Sequence, residues 1–250
     1  IVLLPVLALL LASLSSQAGF TLQWWSALGS VDAGTTRIGS PLASLAQSIR
    51  YALLTGIVAG LIGGCAAIAV LAHRWGRVVA LFAIIPLGIS AATLGLGMLL
   101  AFGRPPLDFR ATGLLIPLAH SLVAIPLVVA VMAPALRGID PRVQDVAATL
   151  GARPTRAFVT AYGPTLRTVM IAAGGLACAV SLGEFGAASF LSRTGAPTVP
   201  LQIVRLISRP GEQSTGVAAV MSVILIVLTL VLVLGVDRLG RRSNGLRTSH

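Results

Sequence analysis

Charged residues are scarce in this chain of 250 residues, where they make up 10% against 56% for hydrophobic residues. The mean hydropathy of +0.95 exceeds what the core of a soluble domain of this length requires. In lipid, every backbone N–H and C=O must be hydrogen-bonded within the protein, so long apolar runs form helices. The scarcity of charge therefore argues against a soluble domain and predicts an all-α membrane protein.

Lysine is absent, so the 18 basic residues are all arginines, and with 7 acidic residues they give a net charge of +11. A positive charge of this size can indicate nucleic-acid binding. Here, however, the arginines stand at the ends of apolar runs and not in a patch on a polar fold. We therefore expect contact with a lipid bilayer and none with nucleic acid.

The patterns of metal sites and enzymes are also missing. The two cysteines, Cys65 and Cys178, lie inside apolar segments, and no cysteine or histidine spacing indicates a metal site. No phosphate-binding loop, paired carboxylates or Ser-His-acid arrangement occurs. We read His120, in an apolar run, as a packed or hydrogen-bonded residue. The chain is thus expected to have no cofactor and no catalytic residue, and not to be an enzyme.

Long apolar runs predict a polytopic bundle of about six transmembrane helices, because a spanning helix needs about 20 apolar residues. The candidate spans are 1–14, roughly 46–72, 78–102, 112–136, 168–191 and 214–236. The first is short and the chain begins with Ile1, so we expect a truncated first helix. One transmembrane domain would cover 1–240, followed by a tail at 241–250.

Arginine counts predict the orientation, since cytoplasmic loops carry the excess of basic residues. One side of the predicted bundle receives eleven arginines: Arg74, Arg77, Arg137, Arg142, Arg153, Arg156, Arg167, Arg238, Arg241, Arg242 and Arg247. The other side receives seven: Arg37, Arg50, Arg104, Arg110, Arg193, Arg205 and Arg209. The first side, with the loop between spans four and five and the C-terminus, is therefore predicted to be cytoplasmic.

The polar loop 137–167, between spans four and five, begins with the pattern of a short helix. Asp140 is a good N-cap, Pro141 suits the first helical position, and Gly151 suits the end. A helix of about ten residues is too short to span a membrane or to be stable alone, so we expect it to pack on a partner. An apolar face and small residues favour close approach: Val143, Val146, Ala147, Ala148 and Leu150.

A second short helix is predicted to begin at Pro154 and to end at Gly163-Pro164, where the proline interrupts it. The loop would then read as helix, glycine turn, helix and proline break before the fifth span. A patterned segment of this kind, fixed between membrane helices, indicates contact with a soluble protein.

Asp145-Val146-Ala147, with Gly151 six residues after Asp145 and Gly163-Pro164 further on, resembles the Glu-Ala-Ala…Gly…Leu-Pro loop of ABC-importer permeases. The preceding residues, 136–141, are also similar to that family. Residues 181–187 (Ser-Leu-Gly-Glu-Phe-Gly-Ala) resemble the fifth helix of permeases for ferric iron, thiamine, sulfate and molybdate. The segments 197–203 and 206–211 are most similar to the ferric-iron and thiamine branch, and the resemblance covers about residues 45–238.

The resemblance implies a permease subunit that forms the translocation pathway of a binding-protein-dependent importer in the bacterial inner membrane. The implied partners are a cytoplasmic ATPase dimer, an extracytoplasmic binding protein and a second permease half or subunit. ATP hydrolysis would occur on the separate ATPase, and the substrate order is ferric iron, thiamine, then sulfate or molybdate. The implied ATPase-coupling residues are Asp140, Asp145, Val146, Ala147, Ala148, Gly151 and Pro164.

Departures from the family pattern are local. Asp145 replaces the family's Glu, Val146 its first Ala, and Gly163 the Leu before Pro164. Together with the short first helix, they suit the C-terminal half of a two-half permease.

Glu184 is the one carboxylate within an apolar span, and two interpretations are open. It lines the pathway or supports a gate together with Gly183, Phe185 and Gly186, because charges inside a bilayer usually face a cavity or a partner. Alternatively, it lies near the outer end, where water or Arg193 satisfies it.

Two other classes of membrane protein remain as alternatives. An ion-coupled secondary transporter would require several ionisable groups within the spans, and Glu184 is essentially the only candidate. A membrane-embedded hydrolase would require a nucleophile and a base there, and only His120 is available.

Overall fold

A computed structural model describes residues 3–29, 40–72, 75–105, 108–140, 142–192 and 197–245. It confirms the all-α membrane fold class. Several residues used in the predictions above lie outside the described parts of the chain: Ile1, Arg37, Arg74, Pro141, Arg193 and Arg247.

Eleven α-helices and one short hairpin are found in the described residues. The helices are α1 Leu3–Leu14, α2 Gln23–Ser26, α3 Pro41–Ala72, α4 Gly76–Ile84, α5 Ala91–Phe102, α6 Leu115–Arg137, α7 Arg142–Thr149, α8 Pro154–Gly183, α9 Gly186–Leu191, α10 Val199–Ile207 and α11 Glu212–Gly245. The hairpin joins β1 (Ser15–Ser16) to β2 (Gly19–Phe20), with Ser15 opposite Phe20. Short 3₁₀ turns follow α2 and α4 and precede α6.

Four of the described helices are long and apolar enough to cross a membrane, namely α3, α6, α8 and α11, and the count is five if α4 and α5 form one broken span. The apolar helix α1 has only 12 residues in the described part of the chain. The predicted count of six is therefore not confirmed, although α3, α6 and α11 match their predicted runs. Helix α11 also extends to Gly245, into the predicted tail.

The third predicted span, 78–102, is not one helix. Helix α4 and its 3₁₀ turn meet α5 at a bend of 102°. Pro86 lies in that turn, Ile89 is extended, and Ser90 then caps α5 by accepting a hydrogen bond from the Thr93 amide at 3.2 Å. Proline removes one helical N–H and a new N-cap starts a helix in a new direction, which accounts for the break.

Two boundaries around the fifth predicted span, 168–191, are also corrected. Helix α8 runs from Pro154 to Gly183 with Pro164 inside it, so the second short helix and the span are one element. The lost proline N–H is tolerated in a helix that packs against α3, α6 and α11. The chain then breaks after Gly183 and resumes as the separate helix α9.

The core of the bundle is the packing of α3 against α6 and α8. Small residues allow this close approach: a Cβ on Gly56 would lie 3.0 Å from the Gly174 carbonyl oxygen, and one on Gly63 would lie 2.6 Å from a Val128 methyl. In lipid, van der Waals contact of this kind replaces the hydrophobic effect as the main attraction between helices. Gly56 and Gly63 of the second predicted span thus serve close packing.

Candidate functional site

Helix α7 is a short helix that connects α6 to α8 at one end of the bundle. Asp140 is its N-cap, as predicted: its Oδ1 accepts a hydrogen bond from the Arg142 amide at 2.9 Å, and its carbonyl accepts one from the Val143 amide at 3.2 Å. These contacts satisfy amides at the start of the helix that have no partner within it.

The other end of α7 is closed by Gly151, also as predicted. The Gly151 amide donates to the Ala148 carbonyl at 2.9 Å, and the Ala152 amide donates to the Ala147 carbonyl at 3.0 Å. This pair of bonds is a Schellman motif, which requires a left-handed residue at its turn. Gly151 has φ +84°, a conformation that other residues adopt only with strain.

No residue of α7 is buried, although the helix packs along one side against α8. Leu150 is 84% exposed and Val146 is 58% exposed, while Gln144 and Ala147 are half-buried. The apolar face predicted from Val143 to Leu150 is therefore split between the inner and outer sides of the helix. Asp145, Ala148 and Arg142 are exposed as well, so α7 presents a mixed apolar and charged surface.

A cleft of about 460 Å³ lies beside α7, where α6 ends and α8 begins. Its wall is mixed: apolar residues such as Pro134, Ile139 and Val143 line it together with the polar side chains of Asp140, Thr160 and Thr165. Helix α7 is therefore held by its caps, by packing on one side against α8 and by its chain connections to α6 and α8. It is not held by a surrounding core.

Pro164, the last predicted residue of the coupling loop, is separate from α7 along the chain. It lies three turns into α8, where its carbonyl accepts a hydrogen bond from the Thr168 hydroxyl at 3.1 Å. The structure thus places the predicted coupling residues 140–151 together in one capped element. Pro164 lies in α8, the helix that follows it.

The four predicted pathway residues form the break between α8 and α9. Gly183 and Phe185 are exposed, and Glu184 and Gly186 are half-buried. Glu184 Oε1 accepts a hydrogen bond from the Ala187 amide at 3.2 Å, so its carboxylate satisfies a free N–H at the start of α9. Arg193, its other predicted partner, is outside the described residues.

A cluster of polar side chains joins the three central spans and was not predicted as a group. His120 Nδ1 and Ser181 Oγ are 2.8 Å apart, and Ser181 Oγ is 3.2 Å from Thr55 Oγ1. Thr55 and Ser121 both donate to the Pro117 carbonyl, at 3.4 Å and 2.6 Å. The signal available in the sequence was polar residues within three apolar runs, but nothing in the sequence showed that these residues meet.

Comparison with known proteins gives relatives along nearly the whole chain. A “Putative 2-aminoethylphosphonate transport system permease protein PhnV” from Salmonella paratyphi A (strain ATCC 9150 / SARB42) is 28% identical over 245 residues, which cover 96% of this chain and 89% of the relative. The protein of the same description from Salmonella typhimurium is also 28% identical over 245 residues.

A second relative carries the same description with the name PhnU. The Salmonella typhi protein is 32% identical over 150 residues, which are 60% of this chain and 51% of the relative. No protein-family model matches the chain. The chain is thus similar along nearly its whole length to permease proteins of a transport system, and its apolar helices are consistent with a multi-pass membrane protein.

Proposed function

We propose that this chain is one of two permease subunits of a binding-protein-dependent importer, and that α7 receives the force of a cytoplasmic ATPase dimer. One observation carries the proposal: an eight-residue helix, capped at both ends and without a buried residue, is fixed between two membrane spans. A helix of this length is unstable by itself and exposes apolar side chains, so a partner surface completes it. The relatives are permeases, which supports an ATPase as that partner.

The coupling follows from differential contacts. ATP-driven closure of the ATPase dimer would displace α7, and α6 and α8, which flank it, would transmit that displacement to the spans. A ligand or partner shifts a conformational equilibrium only by its difference in affinity for the two states. The side chains that would make this difference on α7 are the exposed Val146, Leu150 and Asp145.

For the solute, we propose 2-aminoethylphosphonate or a close organophosphonate, delivered by an extracytoplasmic binding protein. The names of the PhnV and PhnU relatives support this choice. Neither name supports ferric iron, thiamine, sulfate or molybdate, the solutes expected from the sequence resemblance. The similarity to two differently named permeases also supports a second permease subunit as partner.

The test is ATP-driven uptake of labelled 2-aminoethylphosphonate by the complete complex in vesicles. We predict that Leu150→Glu lowers uptake by at least tenfold while the ATPase still hydrolyses ATP, since a carboxylate cannot enter an apolar groove without a partner. Gly151 is a poorer probe, because its φ of +84° makes any side chain there strain the end of α7.

Leu239→Glu is the matched control. Leu239 is 55% exposed and lies near the C-terminal end of α11. Its replacement by glutamate makes the same change of charge at a position away from α7. Uptake should remain near the wild-type level in this variant. Normal, coupled uptake by Leu150→Glu would contradict docking at α7, and uptake driven by an ion gradient without ATP would identify a secondary transporter instead.

A further inference from the structure

The polar cluster of Thr55, His120 and Ser181 has an internal order that fixes the direction of each hydrogen bond. The Pro117 carbonyl can only accept, so the Thr55 hydroxyl donates to it. Thr55 has no second proton, so its oxygen accepts from the Ser181 hydroxyl. Ser181 has then used its proton, and its oxygen must accept from an N–H on His120 Nδ1.

This order leaves one atom of His120 without a partner. In a neutral imidazole only one ring nitrogen carries a proton, so Nε2 is a bare acceptor when Nδ1 donates. Within the described parts of the chain Nε2 has no hydrogen-bond partner, and His120 is 0% exposed. A buried acceptor without a donor is unfavourable, so a group that supplies a donor there binds more favourably than one that does not.

The location of the cluster favours contact with the solute over contact with the ATPase. His120 is in the second turn of α6, about 25 Å along the helix from Arg137, where α7 is approached. Ser181 is in the last turn of α8, directly before the break at Glu184 and Phe185. Broken helices and ionisable residues within a membrane protein typically line cavities and substrate sites.

We propose that His120 Nε2 is a specificity-determining contact that accepts a hydrogen bond from an ammonium or hydroxyl group of the transported solute when a conformational change opens the bundle beside Nε2 and leaves the His120–Ser181–Thr55 bonds in place. This inference rests on the proposed function and adds to it the part of the solute that the spans recognise. The Ser181 and Thr55 hydroxyls act as positioning residues, because they hold the imidazole in the tautomer that accepts at Nε2.

The test compares two solutes of the same size in the complete complex. 2-Aminoethylphosphonate carries a terminal ammonium group, and propylphosphonate carries a methyl group in its place. The ratio of Vmax/KM for ATP-driven uptake of the two measures the preference for the donor. Because the binding protein is the same in every sample, a change of this ratio between permease variants reports on the permease.

We expect the wild-type complex to prefer the amino solute and His120→Leu to reduce that preference about tenfold, the equivalent of one buried hydrogen bond. Ser181→Ala keeps the imidazole but removes the acceptor for Nδ1–H, so the proton can move to Nε2 and the preference should also fall. Ser222→Ala is the control, because the Ser222 hydroxyl lies within α11 and donates to the Ala218 carbonyl of the same helix, away from the cluster; its ratio should equal that of the wild type.

The outcomes separate the two proposals. Uptake of both solutes with an unchanged ratio in His120→Leu and Ser181→Ala would overturn the solute contact and leave the importer function intact. A wild-type ratio near one would also overturn it. Failure of the wild-type complex to move either solute with ATP would defeat the proposed function, and the solute contact with it. If His120→Leu does not assemble, the Ser181→Ala ratio decides alone.

Discussion

At the scale of single residues, Glu184 illustrates how a charge in an apolar run can serve structure. Its carboxylate bonds to the Ala187 amide and closes the start of α9 across the break that follows α8. This contact gives the side chain a role that does not depend on solute. Because an amide oxygen can accept the same bond, the contribution of charge and the contribution of hydrogen bonding can be separated by substitution.

We therefore predict that Glu184→Gln retains most of the uptake, whereas Glu184→Leu lowers thermal stability by about 1 kcal/mol, the usual contribution of such a bond. Unfolding of the purified protein in detergent and uptake in vesicles measure the two effects. If Glu184→Gln were fully stable but inactive in uptake, the charge itself would be required, as the gate interpretation holds.

Residues with local partners were predictable, and residues with distant partners were not. The roles of Asp140 and Gly151 follow from the few residues beside them, so the sequence predicts both correctly. His120 was interpreted as packed or hydrogen-bonded, which is confirmed by its contact with Ser181. The identity of that partner, 61 residues away, depends on how α6 and α8 pack, which no local pattern encodes.

At the scale of elements, α7 depends on its caps as well as on its contact with α8. It has eight residues, none of them buried, so the free energy that keeps it helical comes largely from bonds at its two ends and from its contact with α8. The helical form of such an element is only marginally stable. A change at one cap therefore has a large effect on the population of the helical form.

We predict that Asp140→Ala destabilises α7 by about 1 kcal/mol, as loss of an N-cap typically does. Hydrogen exchange of the amides of α7 should become faster by roughly fivefold, while exchange in α6 remains unchanged. Asp140→Ser restores a capping oxygen and serves as the control. Equal exchange in the alanine and serine variants would show that the side chain of Asp140 does not hold the helix.

Proline predicted an element boundary incorrectly at one position, and at another position it accompanies a break that was not predicted. Pro164 was expected to end a helix, but packing of α8 along the bundle compensates for one missing hydrogen bond. Pro86 does accompany a break, because Ile89 is extended and Ser90 starts a new helix. The two cases differ in tertiary contact and in the presence of a following N-cap. Of these two differences, only the N-cap can be read from the sequence.

At the scale of the whole molecule, the two ends of the bundle differ. One end carries α7 and the adjoining cleft, and the other carries the break at α9 and the start of α11, where Glu212 bonds to the Gln17 amide at 2.6 Å. The arginine distribution predicts that the α7 end faces the cytoplasm, and this orientation stays a prediction.

Cysteine labelling tests the orientation directly. With Cys65 and Cys178 replaced by alanine, a cysteine at Leu150 should react with a membrane-impermeant maleimide in inside-out vesicles and not in intact cells. A cysteine at Gln213, exposed at the start of α11, should show the opposite pattern. Reaction of the Leu150→Cys variant from the outside would show that the topology is opposite to the prediction. A cytoplasmic ATPase could then not bind α7.

The continuity of α8 has a mechanical consequence. Its 30 residues form one continuous helix about 45 Å long, whose first turns adjoin α7 and whose last turn contains Ser181. A tilt of the whole helix by about 5° about its first turn would move its last turn by about 4 Å, which is more than the length of a hydrogen bond. A small tilt that begins beside α7 would therefore become a larger displacement at the opposite end of the helix.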